Sequence, residues 1–329
     1  MKYKNYIFLL LIIIMYSCQK TDNGSSTPVP IPPTDLTGSL ISPSQINLSW
    51  IDRSTNESGF KIERKTNTSQ FSVIGTVGTD VTRFTDNGLL NNTTYTYRVY
   101  SYNSAGKSPT YSNEISITTV DLKIGLVAYF PFSGNVSDSS GNNISANLRG
   151  SVSLTNDRFG KNASAYLFSA IGFNAESRVM GNLRTPLGNN FSISFWAKRN
   201  TSQPTGGGFD EKEWMFSSGI GSDKLTAIGI PNGSNFLLYG THPNHTNSNY
   251  GIDNSWTHYV QTFSNGEFRI YVNGKFISSV QRNVNIDNTV FVIGNNADLS
   301  REGFNGVIDD VRIYNNSISV NVIEYLSKN

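Results

Sequence analysis

The stretch SWTHYVQTFSNGEFRIYVNGKFISSV, residues 255–280, alternates apolar and polar side chains over most of its length. A period of two places every second side chain on the same face of a β-strand, so the stretch predicts strands with one buried face. Asn273 and Gly274 interrupt the alternation, and Asn-Gly is a strong signal for a two-residue hairpin turn. The stretch therefore predicts an antiparallel hairpin within a larger sheet.

The rest of the chain has the same character. Its 329 residues are rich in Tyr, Phe, Gly, Ser, Thr and Asn, and short alternating apolar runs are separated by turn dipeptides. This pattern predicts an all-β fold, and the length predicts two domains. The net charge is only +2, with Lys and Arg scattered. Nucleic acid is therefore not expected as a partner.

The N-terminal residues predict secretion. Lys2 and Lys4 precede an apolar run over residues 7–15, which is too short to span a bilayer. Cys18 is the only cysteine, so it cannot form an intramolecular disulfide. The sequence MYSC, residues 15–18, resembles the lipobox of bacterial lipoproteins, in which cleavage precedes a lipid-modified cysteine.

This resemblance implies a lipoprotein signal peptide at residues 1–17, lipidation at Cys18 and attachment to a membrane through the lipid anchor. The expected location is the cell surface or outer membrane of a bacterium. The alternative is an ordinary secretory signal with an incidental cysteine. Residues 18–33 are polar and then proline-rich, and they predict an extended stalk.

The first module is predicted at residues 34–119, with alternating runs at 46–50, 60–64 and 95–99. Its stretch GLLNNTTYTYRVYSYNSAGKS resembles the late strands of a fibronectin type III domain. The resemblance implies a β-sandwich in which Tyr95 forms a tyrosine corner, with its phenol bonded to the preceding loop, and in which Trp50 lies in the core.

The adhesive function of some family members does not carry over to this module, because Asn103–Lys107 replaces the Arg-Gly-Asp motif of integrin-binding domains. A spacer role is favoured over protein binding.

The second module is predicted at residues 125–329. Four of its stretches, in this order, resemble a laminin G-like, concanavalin A-like jelly roll: GLVAYFPFSGNVSDSSGN, NNFSISFWAKR, the opening stretch above, and FNGVIDDVRIYNNSISVNVIEYL. The resemblance implies two antiparallel sheets, frequent calcium binding, and glycan or protein recognition. Some relatives with this fold are glycoside hydrolases.

The sequence predicts that the chain is not an enzyme. Retaining glycosidases of this fold carry Glu-X-Asp-X-X-Glu on one strand, because two carboxylates must flank the scissile bond, and no such string occurs here. The nearest cluster, residues 210–214, follows a Gly run and is predicted to be a solvated charged loop.

Four residues are candidates for binding a ligand: Trp214, Tyr239, His242 and Tyr250. They flank or lie in predicted loops rich in Asn and His. A flat ring can pack on the C–H face of a sugar while neighbouring amides bind its hydroxyls. The alternatives are that the aromatic residues belong to the core and that His242 and His245 share a metal.

A structural calcium site is expected between Asp138, Asn142 and Asp309. The jelly-roll resemblance implies that strand 126–132 pairs antiparallel with strand 307–314, which brings Asp309 toward Asp138, and simple alternation directs Asp309 toward the core. A buried carboxylate needs a partner, and calcium accepts six to eight oxygen ligands. The alternative is that Asp138 caps its turn and Asp309 bonds backbone amides.

These observations predict a non-catalytic surface lipoprotein whose jelly roll binds extracellular polysaccharide. The first alternative is a structural or adhesive protein with surface-protein partners. The second is a glycoside hydrolase.

Overall fold

The protein is described by a computed structural model that covers seven stretches of the chain: residues 27–169, 176–200, 212–219, 226–231, 236–241, 245–296 and 303–329. Within these stretches the chain forms 23 strands and one short helix, so the predicted all-β fold is confirmed. No helix in this described part is long and apolar enough to cross a membrane.

The first module contains two antiparallel sheets. Their strands are β1 (Thr34–Ser42), β2 (Gln45–Ile51), β3 (Gly59–Thr66), β4 (Ser72–Gly78), β5 (Arg83–Asn87), β6 (Thr94–Asn103), β7 (Gly106–Lys107) and β8 (Ile115–Thr118). One sheet has the order β1-β2-β5, and the other has the order β4-β3-β6-β7, with β8 also paired to β6. Burial alternates along β2 and β6, as expected for strands with one face in a sandwich core.

Two predicted features of this sandwich are present. Trp50 is 5% exposed and packs edge-on against Phe60, with ring centroids 5.6 Å apart. Tyr95 is 4% exposed, and its phenol oxygen accepts a hydrogen bond from the Leu90 N–H at 3.0 Å. The tyrosine corner therefore ties the start of β6 to the loop before it.

The second module begins with the strands β9 (Leu126–Phe130), β10 (Ala146–Gly150), β11 (Val152–Thr155), β12 (Ala165–Ser169), β13 (Ser177–Asn182), β14 (Phe191–Arg199), β15 (Lys212–Ser218) and β16 (Thr226–Pro231). It continues with β17 (Phe236–Thr241), β18 (His245–Gly251), β19 (Thr257–Ser264), β20 (Glu267–Val272), β21 (Lys275–Gln281), β22 (Val290–Ile293) and β23 (Asn305–Tyr314).

These strands form two facing sheets. The seven-stranded sheet has the order β10-β13-β22-β15-β16-β17-β18. The eight-stranded sheet has the order β11-β12-β23-β14-β19-β20-β21, and β9 also pairs with β23. A single large apolar cluster fills the space between them. We call the face of each sheet that points away from this core its outer face.

The predicted pairing of the first and last strands is confirmed. β9 runs antiparallel to β23, with Phe130 opposite Val311. The predicted hairpin turn at residues 273–274 joins β20 to β21, and both its residues have positive φ, 48° and 79°. A second Asn-Gly turn at residues 265–266 joins β19 to β20. Positive φ at both positions matches the turn type that suits the twist of paired strands.

The helix α1 (Val320–Leu326) covers part of the outer face of the eight-stranded sheet. Its buried residues Val322, Ile323 and Leu326 form an apolar cluster with Val260 and Tyr314 of the sheet. Without the helix, these outward apolar side chains would be exposed to water.

Replacing Tyr95 by Phe should destabilise the first module by about 1 kcal/mol, because the Leu90 N–H loses its acceptor. Denaturant unfolding monitored by fluorescence would measure this change. Tyr111→Phe is the control, because the Tyr111 hydroxyl accepts a hydrogen bond from the exposed Lys107 ammonium at 3.1 Å and bonds no buried group among the described residues. Equal midpoints for the Tyr95→Phe and Tyr111→Phe variants would contradict the expected contribution of the corner.

Candidate functional site

Two of the predicted ligand-binding aromatics, which were expected beside loops and accessible to a sugar, are buried in strands. Trp214 lies in β15 and Tyr239 lies in β17, and neither has exposed surface. The Tyr239 hydroxyl donates to Ser278 of the opposite sheet at 2.9 Å, and its ring belongs to the core. A saccharide cannot stack on a ring with no exposed face.

Tyr250 lies in β18 and is half-buried, with its side chain packed against the core. His242 lies outside the described residues. Ligand binding by these two residues stays a prediction.

The predicted charged loop at residues 210–214 is also corrected for its described part, which belongs to β15. Glu213 is 1% exposed and forms an ion pair with Arg199 of β14 at 2.6 Å, which links the two sheets. The prediction that Glu213 is a solvent-exposed charge in a loop is therefore wrong. Sequence spacing alone does not show that Arg199 faces it.

Asp138, a predicted calcium ligand, has its carboxylate surrounded by hydrogen-bond donors. One oxygen accepts the N–H groups of Tyr129 and Ser140, both at 2.9 Å. The other accepts the Ile144 N–H at 3.0 Å and the Ser140 hydroxyl at 2.8 Å. Burial raises the pKa of Asp138, but these hydrogen bonds outweigh it and hold the pKa below its ordinary value.

The second predicted ligand, Asn142, belongs to the same turn. Its amide nitrogen donates to the carbonyl oxygens of Leu126 and Val127 at 3.0 and 3.1 Å. The contacts of Asp138 and Asn142 therefore tie this turn to β9, and they support the turn-capping alternative for Asp138.

The third predicted ligand, Asp309, lies on the outer face instead of the core face. The register between β14 and β23 shifts by one residue at Asp310, which has a positive φ of 57°. Asp309 is consequently opposite Trp196, whereas Val311 returns to the core. This β-bulge breaks the simple alternation that directed Asp309 inward.

The partner of Asp309 is a guanidinium. Arg158 Nη1 lies 2.6 Å from the Asp309 carboxylate, and Arg158 Nη2 lies 3.5 Å from Asp310. Arg312 pairs with Asp310 at 2.6 Å. Burial, followed by repulsion from Asp310, raises the pKa of Asp309 to about 7 despite the Arg158 contact. Calcium at Asp138, Asn142 and Asp309 stays a prediction, although these contacts give the carboxylates other partners.

A buried Ser–His pair lies on the same face. Ser194 Oγ and His258 Nε2 are 2.9 Å apart, and both residues are at most 1% exposed. A hydrolytic triad needs an accessible serine and a carboxylate on the other ring nitrogen. Among the described residues, His258 Nδ1 has no hydrogen-bond partner. The pair is therefore structural, as its position in an alternating strand indicates.

An open groove does exist elsewhere on the second module. Three adjoining cavities of about 610, 540 and 600 Å³ share lining residues along the outer face of the eight-stranded sheet. We call their union the outer groove. It runs from the turn at residues 265–266, past the segment 316–320, to the first residues of β21.

One end of the outer groove is lined by amide and hydroxyl groups. These come from the residues Asn189, Asn190, Ser264, Asn265, Asn316 and Ser317. Two of the segments that carry these groups are linked, because the Asn190 side-chain oxygen accepts the Ser317 N–H at 2.9 Å. Such groups donate and accept hydrogen bonds without adding charge.

The other end of the outer groove is charged but balanced. It carries two acids and two bases: Glu267, Glu324, Arg269 and Lys275. Arg269 Nε and Nη2 both lie 2.8 Å from one oxygen of Glu267. A hydrogen bond from Ser279, followed by that from Arg269, lowers the pKa of Glu267.

An exposed aromatic ring completes this end. Phe276 is 55% exposed, and it rests edge-on against the buried Tyr271, with ring centroids 5.7 Å apart. It borders the same cavity as Val320, which is 50% exposed. The outer groove thus combines a supported flat ring with a long row of polar groups.

The sequence did not single out Phe276, and the reason is a second bulge. Simple alternation gives Phe276 the same face as Ser278, which points inward to Tyr239. The register between β20 and β21 shifts by one residue, so Phe276 is opposite Tyr271 on the outer face.

Comparison with known families agrees with this architecture. Residues 31–118 match the family model for the fibronectin type III domain, and residues 175–324 match the model described as the concanavalin A-like lectin/glucanases superfamily. The chain carries a fibronectin type III domain followed by a concanavalin A-like domain. No curated protein matches the chain.

Several solved structures resemble parts of it. One is domain 4 of AbnA, a GH43 extracellular arabinanase from Geobacillus stearothermophilus, in complex with arabinotriose; it is 22% identical, with 61% of this chain and 98% of that chain covered and a TM-score of 0.47. Another is the binding domain of botulinum neurotoxin DC in complex with SialylT, at 18% identity and a TM-score of 0.49. That match covers 63% of this chain but only 52% of the neurotoxin domain.

Acidification should destabilise the concanavalin A-like domain through His258. Burial lowers the pKa of His258 to about 3, whereas an unfolded histidine titrates near 6.5. Between these values the unfolded chain binds more protons, so the His258 contribution to the free energy of unfolding falls as pH falls, by up to about 1.4 kcal/mol per pH unit. Urea unfolding between pH 7 and pH 4 would measure the total slope.

His258→Phe is the matched variant, because it keeps a ring beside Trp196 and removes the titrating group. This variant should be less stable than the parent at pH 7 but should lose less stability on acidification. Parallel pH profiles for parent and variant would show that His258 does not carry the effect.

Proposed function

We propose that the concanavalin A-like domain binds a neutral extracellular polysaccharide in the outer groove, without cleaving it. The observation that carries the proposal is the exposed, supported ring of Phe276 in line with a row of amide and hydroxyl groups. A sugar ring has an apolar C–H face and a polar rim. The C–H face packs on an aromatic ring, and the hydroxyls of the rim bond amide and hydroxyl groups.

Charge and shape define the ligand class further. The acids and bases at the Phe276 end cancel, which favours a neutral saccharide over a uronate or a sulfated chain. Three adjoining cavities suit a chain of several sugar units better than a single sugar.

One groove carboxylate, Glu267, supports binding without cleavage. A glycosidase needs one carboxylic acid whose pKa is raised, so that it can protonate the leaving group. In the outer groove, Glu267 has the opposite property, because hydrogen bonds from Ser279 and Arg269 lower its pKa.

Replacing Phe276 by Ala should weaken polysaccharide binding by roughly tenfold, the effect of losing about 1.4 kcal/mol of ring contact. Affinity gel electrophoresis of the full chain would measure it, with neutral arabinan, mannan and β-glucan as probes and polygalacturonate as the anionic comparison. No reducing ends should appear during incubation.

Phe159→Ala is the control, since Phe159 is 71% exposed and does not line the outer groove. Equal loss of retention in both variants would reject the groove as the binding surface. If no probe slows the parent protein, the proposal fails and an adhesive role with surface-protein partners replaces it.

We also propose that the protein is a lipid-anchored surface protein, with the stalk and the fibronectin type III domain as spacers. This proposal rests on the sequence around Cys18, which lies outside the described residues. Attachment by lipid explains a lone cysteine directly after a short apolar run, and more than one acyl chain is needed for stable anchoring.

Replacing Cys18 by Ser should release the protein from the membrane fraction, because no sulfur remains to carry the lipid. Detergent partitioning of cell extracts, with the parent protein as reference, would measure the release. Unchanged membrane association of the Cys18→Ser protein would reject the lipid anchor while leaving the groove proposal untouched.

A further inference from the structure

Three carboxylates converge at one end of the fibronectin type III domain. Asp52 directly follows β2, Glu57 lies in the loop before β3, and Asp80 lies in the turn between β4 and β5. One oxygen of each lies within 4.8 Å of an oxygen of the other two. The loops also contact each other, since the Thr79 hydroxyl donates to the Glu57 main-chain carbonyl at 3.4 Å.

No countercharge contacts this cluster within the described stretches. In the described part of the chain, none of its three carboxylates takes part in a salt bridge. Like charges at this separation repel each other. Burial raises the pKa of Asp52, and the charges of Glu57 and Asp80 raise it further against a hydrogen bond from the Ser54 N–H.

Glu57 provides an independent sign that a ligand belongs here. The residue is only 7% exposed, and its buried Oε2 has no hydrogen-bond partner among the described residues. A buried carboxylate oxygen without a partner lowers the stability of the fold, because the oxygen has lost its hydrogen bonds to water and has formed none in the protein. Its carboxyl group nevertheless points toward Asp52 and Asp80, where it adds to the repulsion.

We infer that Asp52, Glu57 and Asp80 bind a calcium ion. Calcium is held by oxygen ligands at 2.3–2.6 Å, so two oxygens on one ion lie at most about 5 Å apart, and the observed separations satisfy this limit. Three carboxylates fill part of a shell of six to eight ligands, and the exposed position of Asp80 admits water to the rest. The ion supplies the missing positive charge.

Bound calcium would have a mechanical effect on this domain. It would add a link between the loop after β2 and the turn before β5, whose strands are already neighbours in one sheet. An ion that binds only the folded domain stabilises it by mass action.

Calcium binding by the full chain would test the inference, with calcium chloride alone as the probe in isothermal titration. Asp80→Asn should weaken calcium binding at this site at least tenfold, because one of three charged ligands is lost. Asparagine tolerates the positive φ of 60° at this position, so the turn should be kept. Glu114→Gln is the control, an exposed acid that pairs with Lys65 and Arg98 outside the cluster.

The dependence of stability on calcium provides a second readout. With a chelator present, Asp80→Asn should be at least as stable as the parent, since repulsion is relieved; with calcium present, it should be less stable. Failure of the parent to bind calcium would overturn the inference, as would calcium binding that is equally strong in parent and Asp80→Asn. An equal loss of stability with and without calcium would also overturn it, because it would assign Asp80 a role in the turn alone.

Discussion

The pairing of β23 organises the concanavalin A-like domain. This last strand pairs with β12 and β9 along one edge and with β14 along the other, so it connects the early and middle parts of the domain in one sheet. Its bulge at Asp310 changes which side chains face outward. The outer face consequently carries charges that Arg158 must neutralise, and α1, which follows β23, covers the neighbouring apolar side chains.

Much of this architecture could be predicted from the sequence, because alternation and Asn-Gly turns are local signals. They predicted strands of both domains and the hairpin at residues 273–274. The antiparallel pairing of β9 with β23 is not a local signal, and it was expected from the resemblance to the jelly-roll family. The positions of individual side chains were harder to predict. Asp309 and Phe276 both follow from register shifts, and alternation assumes that no such shift occurs.

The same limit applies to Trp214. A Gly run and charged neighbours predicted a loop, whereas the chain forms β15 and buries Glu213 against Arg199 from the facing sheet. In the sequence alone, charged residues favour the prediction of a loop. Whether such a charge can instead be buried in a strand depends on an opposite charge from another part of the chain, which only the tertiary structure shows. The outer groove was missed for a related reason, since its lining comes from segments far apart in sequence.

The chain accommodates buried carboxylates in different ways. Asp138 is held by N–H and hydroxyl donors, whereas Asp309 and Glu213 are held by guanidinium groups. Glu57 has neither kind of partner for its buried oxygen. Glu213 also keeps one buried oxygen, Oε2, without a partner, but its other oxygen pairs with Arg199. Among the described residues, the fibronectin type III cluster therefore differs from Asp309 and Glu213 because no guanidinium neutralises its charge.

The central position of β23 in its sheet also affects how the domain folds during its synthesis. Phe130 and Val311 are neighbours in the sheet but are about 180 positions apart in the chain. At a synthesis rate of about 5–20 residues per second, roughly 10–40 s separate their emergence from the ribosome. β9 lacks its partner for this whole interval and one edge of β14 lacks it for part of the interval, and unpaired strand edges promote aggregation. The eight-stranded sheet cannot be completed before β23 has been made, so the domain should fold slowly and late.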